Sequence, residues 1–217
     1  MNVTPIYIEG IDGAGKTMLC NELQSKDNAL VLRSPGGTSV GEMLRENILY
    51  SPLCSEVTKR LMFLLCDALV KDRIVTDITL QGRVVIGDRS LISNVVYDTS
   101  LDIDTVINNI NQLGLTFPDY IIWLKTDPKV ALKRLEARDP SLKDETSFLQ
   151  RYIDNGTLPY TATVLDMLSM LHDRYQKVIH VLKERHLVSR VAVIPTETEM
   201  PYESSVKFIQ AVLNGST

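Results

Sequence analysis

The segment Gly10–Thr17 reads GIDGAGKT and matches the pattern G-x-x-x-x-G-K-[ST] at every fixed position. Glycines in this pattern let successive backbone N–H groups point toward one anion, and a helix that begins at the loop adds partial positive charge. Lys16 can then reach the terminal phosphates of a nucleoside triphosphate, and the Thr17 hydroxyl can join the coordination shell of Mg²⁺. The segment therefore predicts a phosphate-binding loop.

This loop alone does not identify a reaction, because GTPases, motor ATPases and small-molecule kinases all contain it. A guanine-reading element has the form N/T-K-x-D, but Leu124 stands at its first position, before Lys125-Thr126-Asp127. The sequence after the third predicted strand contains no D-x-x-G switch element either. Both observations argue against a GTPase.

The elements that must position the loop are short apolar strands that alternate with helices. Strands are predicted over Pro5–Glu9, Ala29–Arg33, Val84–Asp88, Tyr120–Lys125 and Ser189–Ile194. Helices are predicted over Gly15–Gln24, Ser55–Thr79, Thr105–Leu113, Pro128–Ala137, Thr163–Arg185 and Ser204–Leu213. This alternation indicates an α/β fold in which helices cover both faces of a parallel sheet. Ligands of such folds bind beyond the carboxyl ends of the strands, where the predicted loop also lies.

Two further predictions concern the segments between the strands. The helix Ser55–Thr79 has an apolar face that is predicted to be buried, with the members Val57, Leu61, Leu64, Leu65 and Ala68. Residues 139–160 are rich in charged residues and turn formers without long periodicity. We interpret them as a mobile lid, with an ordinary surface loop as the alternative. No linker separates a second unit, so residues 1–217 are predicted to form one domain.

Composition limits the classes of partner and the location. Of the 217 residues, 44% are hydrophobic and 23% are charged, which is typical of a globular protein, and the net charge of -4 disfavours a nucleic-acid partner. The cysteines Cys20, Cys54 and Cys66 lack the spacing of a metal site and are interpreted as reduced thiols. Met1–Thr4 shows no signal-peptide pattern, and no apolar run is long enough to cross a bilayer. A cytoplasmic location away from membranes is therefore expected.

Several segments resemble the thymidylate kinase family, in the order in which that family carries them. Arg33–Thr38 reads RSPGGT, close to the family's R-E-P-G-G-T. Other segments similar to the family are Gly41-Glu42 with Arg45, Leu61-Met62-Phe63, Asp88-Arg89-Ser90, Ser93-Asn94 with Tyr97, and Phe117-Pro118-Asp119 through Asp127-Pro128 with Ala131 and Arg134. Each match is weak alone, but together, behind a complete phosphate loop, they are specific.

The resemblance implies a three-layer P-loop kinase fold, with a five-stranded parallel sheet in the order 2-3-1-4-5 and a lid. It also implies ATP-dependent phosphorylation of dTMP to dTDP for deoxynucleotide synthesis, with Mg²⁺ as cofactor. The implied partners are these small molecules and a second copy of the chain in a homodimer. Phosphoryl transfer of this kind depends on alignment and charge stabilisation rather than on covalent chemistry.

The site residues implied by the resemblance fall into four groups. Those for catalysis are Asp12, Lys16, Arg89 and Arg138, where Arg138 is the first choice among the possible lid arginines Arg134, Arg138 and Arg151. Those for ATP are Gly10, Asp12, Gly13, Ala14, Gly15, Lys16, Thr17 and Arg134, and those for Mg²⁺ are Thr17 and Asp88. Those for the acceptor are Asp12, Arg33, Pro35, Arg45, Phe63, Asp67, Arg89, Ser93, Asn94 and Tyr97.

The implied roles for the acceptor agree with side-chain chemistry. The guanidinium of Arg89 offers paired donors to a phosphate, although a structural ion pair at the strand end is the alternative. Phe63 corresponds to the ring on which the family stacks the base, and a core position is its alternative. Asn94 and Tyr97 are three residues apart and lie on one helical face, where the family binds the pyrimidine edge and excludes a ribose 2′-hydroxyl. Arg45 is either a second phosphate ligand or part of a solvated helix face.

Three residues depart from the family pattern: Ser34 replaces a glutamate, Ser90 replaces a tyrosine, and Asp67 replaces the arginine that reads the thymine carbonyl. An ionised aspartate only accepts hydrogen bonds, so it cannot donate to that carbonyl. Either Asp67 contacts the base through water and thymine is retained, or the acceptor is another deoxypyrimidine monophosphate such as dUMP, dCMP or a modified pyrimidine. Altered base choice is therefore a hypothesis, with dTMP still placed first.

The sequence leaves two other functions open. A deoxynucleoside kinase needs a carboxylate after the second strand to accept the hydroxyl proton, and Ser34 stands there instead. A non-catalytic P-loop module is the second reading, and stimulation of ADP formation by an acceptor distinguishes it from a kinase.

Overall fold

Five parallel strands lie at the centre of the computed structural model, which describes residues 5–50, 55–81, 84–197 and 201–214. The strands are β1 (Ile6–Glu9), β2 (Leu30–Arg33), β3 (Val85–Asp88), β4 (Tyr120–Lys125) and β5 (Arg190–Pro195). Their order across the sheet is β2-β3-β1-β4-β5, and every neighbouring pair is parallel. The predicted α/β class and strand order are confirmed. Cys54 and Met1–Thr4, on which two predictions depended, lie outside the described residues.

Helices cover both faces of this sheet. In chain order they are α1 (Lys16–Asp27), α2 (Ser39–Tyr50), α3 (Glu56–Gln81), α4 (Leu91–Tyr97), α5 (Ile103–Gln112), α6 (Pro128–Arg138), α7 (Lys143–Asp154), α8 (Val164–Glu184) and α9 (Pro201–Leu213). The central strands are apolar on both sides, and Ile6, Ile8, Ile121 and Ile122 are all fully buried. Burial on both faces explains why these strands read as continuous apolar runs.

Local sequence fixes the start of several helices. Asp127 caps α6 by accepting a hydrogen bond from the backbone N–H of Lys129 at 2.7 Å, and Pro128 occupies the first turn. Thr163 and Asp166 form a reciprocal capping box at the start of α8. Ser90 caps α4 and thereby fixes where the chain turns after β3.

The prediction for the buried face of α3 was wrong. Val57, Leu61 and Leu65 are 58%, 57% and 48% exposed, and Leu64 alone of the predicted face is buried. The helix instead buries Lys59, Cys66, Asp67, Val70 and Ile74. Because part of this buried face lines a cavity, it carries polar residues, and its apolar periodicity is weak.

The segment 139–160 contains a helix, α7, where the sequence indicated no regular structure. Glu145, Leu149 and Tyr152 are its buried residues, and they lie at helical spacing. The pattern was not visible because its first member is charged. Arg138 compensates that charge, since its guanidinium donates to the Glu145 carboxylate at 2.9 Å. Helix α2 also lies in a segment for which no helix was predicted.

Candidate active site

A cavity of about 480 Å³ lies at the carboxyl ends of the strands and collects nearly all of the predicted site residues. Those that line it are Asp12, Gly13, Gly15, Lys16, Thr17, Arg33, Pro35, Arg45, Phe63, Asp67, Asp88, Arg89, Ser93, Asn94, Tyr97, Arg134 and Arg138. Gly10 and Ala14 complete the predicted set. The carbonyl of Gly10 faces the cavity cations, and the side chain of Ala14 is buried beneath the loop.

The loop between β1 and α1 has the backbone shape that phosphate binding requires. Gly13 and Gly15 have φ values of 80° and 94°, which side-chain-bearing residues rarely adopt. A Cβ atom at Gly13 would lie 2.5 Å from the carbonyl oxygen of Ala131, so only glycine fits between the loop and α6. Lys16 folds back over the loop and donates to the carbonyl oxygens of Gly10 at 2.9 Å and Ile11 at 2.8 Å.

Asp12 and Arg89 form the central ion pair of the cavity. Burial alone would raise the pKa of Asp12, but the positive charges of Arg89 and Lys16 outweigh it and hold that pKa below its usual value. Tyr97 donates to the second carboxylate oxygen of Asp12 at 2.9 Å. Arg89 also donates to the carbonyl oxygen of Gly10 at 3.2 Å, so its guanidinium is held against the phosphate-binding loop.

Glu9 supports this arrangement from beneath and was not among the predicted site residues. It is fully buried and accepts hydrogen bonds from the Ser90 backbone at 2.8 Å, from the Ser90 and Ser93 hydroxyls at 2.7 Å, and from Tyr175 at 2.9 Å. The Tyr175 hydroxyl in turn lies 3.2 Å from the guanidinium of Arg89. A carboxylate at the end of an apolar strand was the available sequence signal, but nothing in the sequence marked Tyr175.

Arginines approach the cavity from two further directions. Arg33 at the end of β2 lies 3.3 Å from the Asp88 carboxylate, and Arg45 of α2 donates to the carbonyl oxygen of Pro35 at 2.8 Å. Arg134 of α6 donates to the Gly13 carbonyl oxygen at 3.4 Å and to both oxygens of Thr196. Arg138 and Arg151 line the same cavity from α6 and α7, and the side chain of Arg138 is 63% exposed.

Phe63, Asp67 and Asn94 form a second cluster in the cavity. Phe63 and Asp67 are one helical turn apart on α3, and the side-chain amide of Asn94 on α4 donates to the Asp67 carboxylate. This cluster combines an aromatic face with hydrogen-bonding groups, whereas the Lys16–Arg89 region offers cationic donors. One cavity therefore contains groups suited to phosphates and groups suited to a heterocyclic ring.

The described residues contain no cluster of three or more histidine, cysteine or acidic side chains that could hold a metal on its own. Thr17 and Asp88 line the cavity together, which supplies one hydroxyl and one carboxylate. Such a partial set suits Mg²⁺, because Mg²⁺ takes most of its ligands from phosphates and water. Within the same part of the chain, no helix is long and apolar enough to cross a membrane.

Comparison with known proteins agrees with this geometry. A sequence model of the thymidylate kinase family matches residues 8–188. The thymidylate kinase of Thermoanaerobacter sp. strain X514 is 32% identical over 198 residues, covering 82% of this chain and 97% of the relative. The thymidylate kinase of Campylobacter concisus is 34% identical over 155 residues, covering 67% of this chain and 77% of the relative.

A solved structure shows the same fold. The crystal structure of thymidylate kinase from Ehrlichia chaffeensis superposes with a TM-score of 0.58 and covers 95% of this chain and 98% of its own. Its sequence identity is 18%, so this likeness concerns the P-loop kinase fold alone.

Proposed function

The chain belongs to the thymidylate kinase family, and we propose that it transfers the γ-phosphoryl group of ATP to dTMP to give dTDP. The main support for this proposal is that two cationic side chains donate hydrogen bonds to the same carbonyl oxygen. Lys16 and Arg89 both donate to the carbonyl of Gly10, at 2.9 and 3.2 Å. A cation from the phosphate-binding loop and a cation from the end of β3 thus lie side by side, as transfer between two bound phosphates requires.

In this proposal Lys16 and the loop N–H groups bind the ATP phosphates, and Arg89 binds the 5′-phosphate of dTMP. Asp12 holds Arg89 in place and reaches toward the sugar. Arg33 and Arg45 add positive charge on the acceptor side. A guanidinium is suited to the task at Arg89 because it binds two phosphate oxygens at once.

The lid of the proposed enzyme contains α7. Arginines of α6 and α7 stabilise the negative charge of the phosphoryl group during its transfer. Arg134, Arg138 and Arg151 all line the cavity, and a guanidinium there can stabilise negative charge on the transferred group. Arg138 is the first choice for catalysis because it lies at the end of α6, where the lid begins, and its guanidinium donates to Glu145 on α7. Closure of this segment over both nucleotides excludes water, which otherwise hydrolyses ATP.

Mg²⁺ belongs to the proposal as the cofactor, with Thr17 and Asp88 as the residues that hold it. When bound, the ion supplies Lewis-acid polarisation and neutralises phosphate charge. Asp88 is 4% exposed and pairs with Arg33, so its carboxylate is fixed at the cavity wall.

Phe63, Ser93, Asn94 and Tyr97 are proposed to bind the nucleoside. Phe63 offers a stacking face, and Asn94 offers both a donor and an acceptor to the pyrimidine edge. Tyr97, anchored on Asp12, occupies the place beside the sugar where it excludes a 2′-hydroxyl. Pro35 lines the same cavity.

We also propose a homodimer in the cytoplasm. The exposed residues Val57, Leu61 and Leu65 form one apolar stripe along α3, and Met43 of the neighbouring α2 is 73% exposed. A stripe of this kind favours burial against a second copy. The double variant Leu61→Glu, Leu65→Glu should halve the particle mass measured by light scattering, and a wild-type chain that is already monomeric would exclude this dimer.

The proposed cytoplasmic location agrees with the free thiols of Cys20 and Cys66, which are typical of a reducing compartment.

The function is tested by ADP release with ATP and Mg²⁺ against dTMP, dUMP, dCMP, dGMP, dAMP, UMP and thymidine. Turnover with dTMP, and little with UMP or thymidine, is the expected result. Preference for thymidine would indicate a deoxynucleoside kinase, and the absence of any stimulation by an acceptor would indicate a binding module.

A further inference from the structure

Asp67 is a buried carboxyl group that belongs to the second cluster of the cavity. Its residue is 9% exposed, and it accepts a hydrogen bond from the side-chain amide of Asn94. Ser34, which follows β2, is also hydrogen-bonded to it. Phe63 lies one helical turn away and lines the same cavity. A carboxyl group between an aromatic ring and an amide is placed to meet the edge of a ring that stacks on Phe63.

Within the described part of the chain, the carboxyl group of Asp67 has hydrogen-bond donors but no ion-pair partner. Burial raises the pKa of Asp67 to about 7, the hydrogen bond from Ser34 opposes this rise, and the negative charge of Glu9 on β1 adds to it. Burial, together with the charge of Asp67, also raises the pKa values of Tyr7 on β1 and Cys66 on α3. From α2, Arg45 lowers the pKa of Cys66 and Glu42 raises it. Both protonation states of Asp67 are therefore available near neutral pH.

The two protonation states have opposite hydrogen-bonding properties. A protonated carboxyl group carries one O–H donor beside an acceptor oxygen, so it can donate to a ring carbonyl and accept from the neighbouring ring N–H. An ionised carboxylate only accepts, so it suits an exocyclic amino group. Thymine presents a carbonyl at C4, and cytosine presents an amino group there. Asn94 can adapt to either base because its amide contains both a donor and an acceptor.

We propose that Asp67 selects the base of the acceptor nucleotide through its own protonation state. The protonated side chain can pair with a pyrimidine that has a carbonyl at C4, such as dTMP, whereas the ionised side chain cannot donate to that carbonyl and favours a pyrimidine with an amino group at C4, such as dCMP. The proton exchanges with solvent and no covalent bond changes. This inference rests on the proposed function, because it concerns which acceptor that reaction takes.

The test is the ratio of kcat/KM for dTMP to kcat/KM for dCMP between pH 5.5 and 8.5. For a group with a pKa near 7, the protonated fraction falls about tenfold from pH 6 to pH 8. We expect the ratio to fall by at least about tenfold over the same range. Titration of Lys16, of ATP and of the acceptor phosphate affects both substrates alike, so it cancels in the ratio.

An Asp67→Asn variant provides the matched comparison, since asparagine keeps the shape, offers a permanent donor and does not titrate. Its ratio should stay constant with pH, near the value of the wild type at low pH. Asp72→Asn removes the same charge from an exposed position of α3 and should keep the wild-type pH profile. The melting temperature of each variant verifies that it is folded.

Calorimetry gives a second readout that does not depend on turnover. Binding of dTMP at pH 7.5, measured without ATP in two buffers of different ionisation enthalpy, should take up more protons than binding of dCMP. This difference should disappear in Asp67→Asn. A pH-independent ratio in the wild type, or the same slope in Asp67→Asn, overturns the inference while dTMP turnover still supports the proposed function. Failure of the wild type to phosphorylate any monophosphate at any pH overturns the proposed function itself.

Discussion

Replacing Lys16 with methionine is expected to abolish phosphoryl transfer and, at the same time, to stabilise the ligand-free protein. Burial, assisted by the nearby charge of Arg89, lowers the pKa of Lys16 from 10.5 to about 8. A shift of that size means that the charged amine is less favourable in the folded protein than in the unfolded chain by roughly 3 kcal/mol. Lys16 lies 4.0 Å from the Asp12 carboxylate, but this attraction does not outweigh burial. The phosphates of bound ATP add further negative charge, so this unfavourable free energy belongs to the empty site.

The hydrogen bonds of Lys16 do not fully offset this unfavourable free energy. The Gly10 carbonyl oxygen also accepts from Arg89 at 3.2 Å, and the Ile11 carbonyl oxygen also accepts from the backbone N–H of Ala14 at 3.2 Å. Both carbonyls therefore keep a donor when Lys16 becomes methionine, which fills a similar volume. We expect the free energy of unfolding at pH 7 to rise by about 1–3 kcal/mol.

The pH dependence of this difference has a defined sign. Between pH 8 and 10.5 the unfolded wild type binds more protons than the folded wild type, so its stability from this group rises with pH. Methionine does not titrate. The advantage of Lys16→Met should therefore be full below about pH 8, decrease above it and vanish near pH 10.5.

Urea denaturation at pH 7 and pH 10, together with the ADP-release assay, measures both effects. Lys133→Met removes the same charge from an exposed position of α6 and should change neither stability nor turnover appreciably. ATP should raise the melting temperature of the wild type but not that of Lys16→Met. The reasoning would be refuted if Lys16→Met were less stable than the wild type at pH 7. It would also be refuted if the difference in stability between the two proteins were the same at pH 7 and pH 10.

Three other perturbations have defined outcomes. Arg89→Lys should lower kcat/KM for dTMP at least about 100-fold, because one ammonium cannot replace the guanidinium contacts to Asp12 and Tyr175. Circular dichroism should show an unchanged fold, and a loss of activity below threefold would contradict the proposed role. Glu9→Gln should lower the free energy of unfolding by about 1–3 kcal/mol in urea, because an NH₂ group replaces one acceptor oxygen, and unchanged stability would contradict this. Chelation with EDTA should abolish ADP release, and added MgCl₂ should restore it; turnover that persists would exclude the metal.

The sheet could be predicted from the sequence because each strand is buried on both faces and therefore reads as an uninterrupted apolar run. Tyr120–Lys125 was predicted with the bounds that β4 has in the structure. The phosphate loop was equally predictable, since its shape depends on glycines at fixed spacing. The role of Glu9 could not be predicted, because its partners Ser93 and Tyr175 are distant in sequence and only the folded chain brings them together.

The error in predicting the buried face of α3 and the proposed functions of that helix have the same physical origin. A helix that lines a ligand cavity places polar groups such as Lys59 and Asp67 on its buried side, where the apolar pattern of an ordinary core helix is lost. Its apolar residues Leu61 and Leu65 are then left for the opposite side, where they are exposed in the single chain. Apolar periodicity reports the face that is buried in the final assembly, and for α3 the proposed assembly contains a nucleotide on one side and a second copy on the other. The stripe on α3 is thus expected to be protected from solvent in the homodimer, and the cavity side of the helix is expected to contact the acceptor.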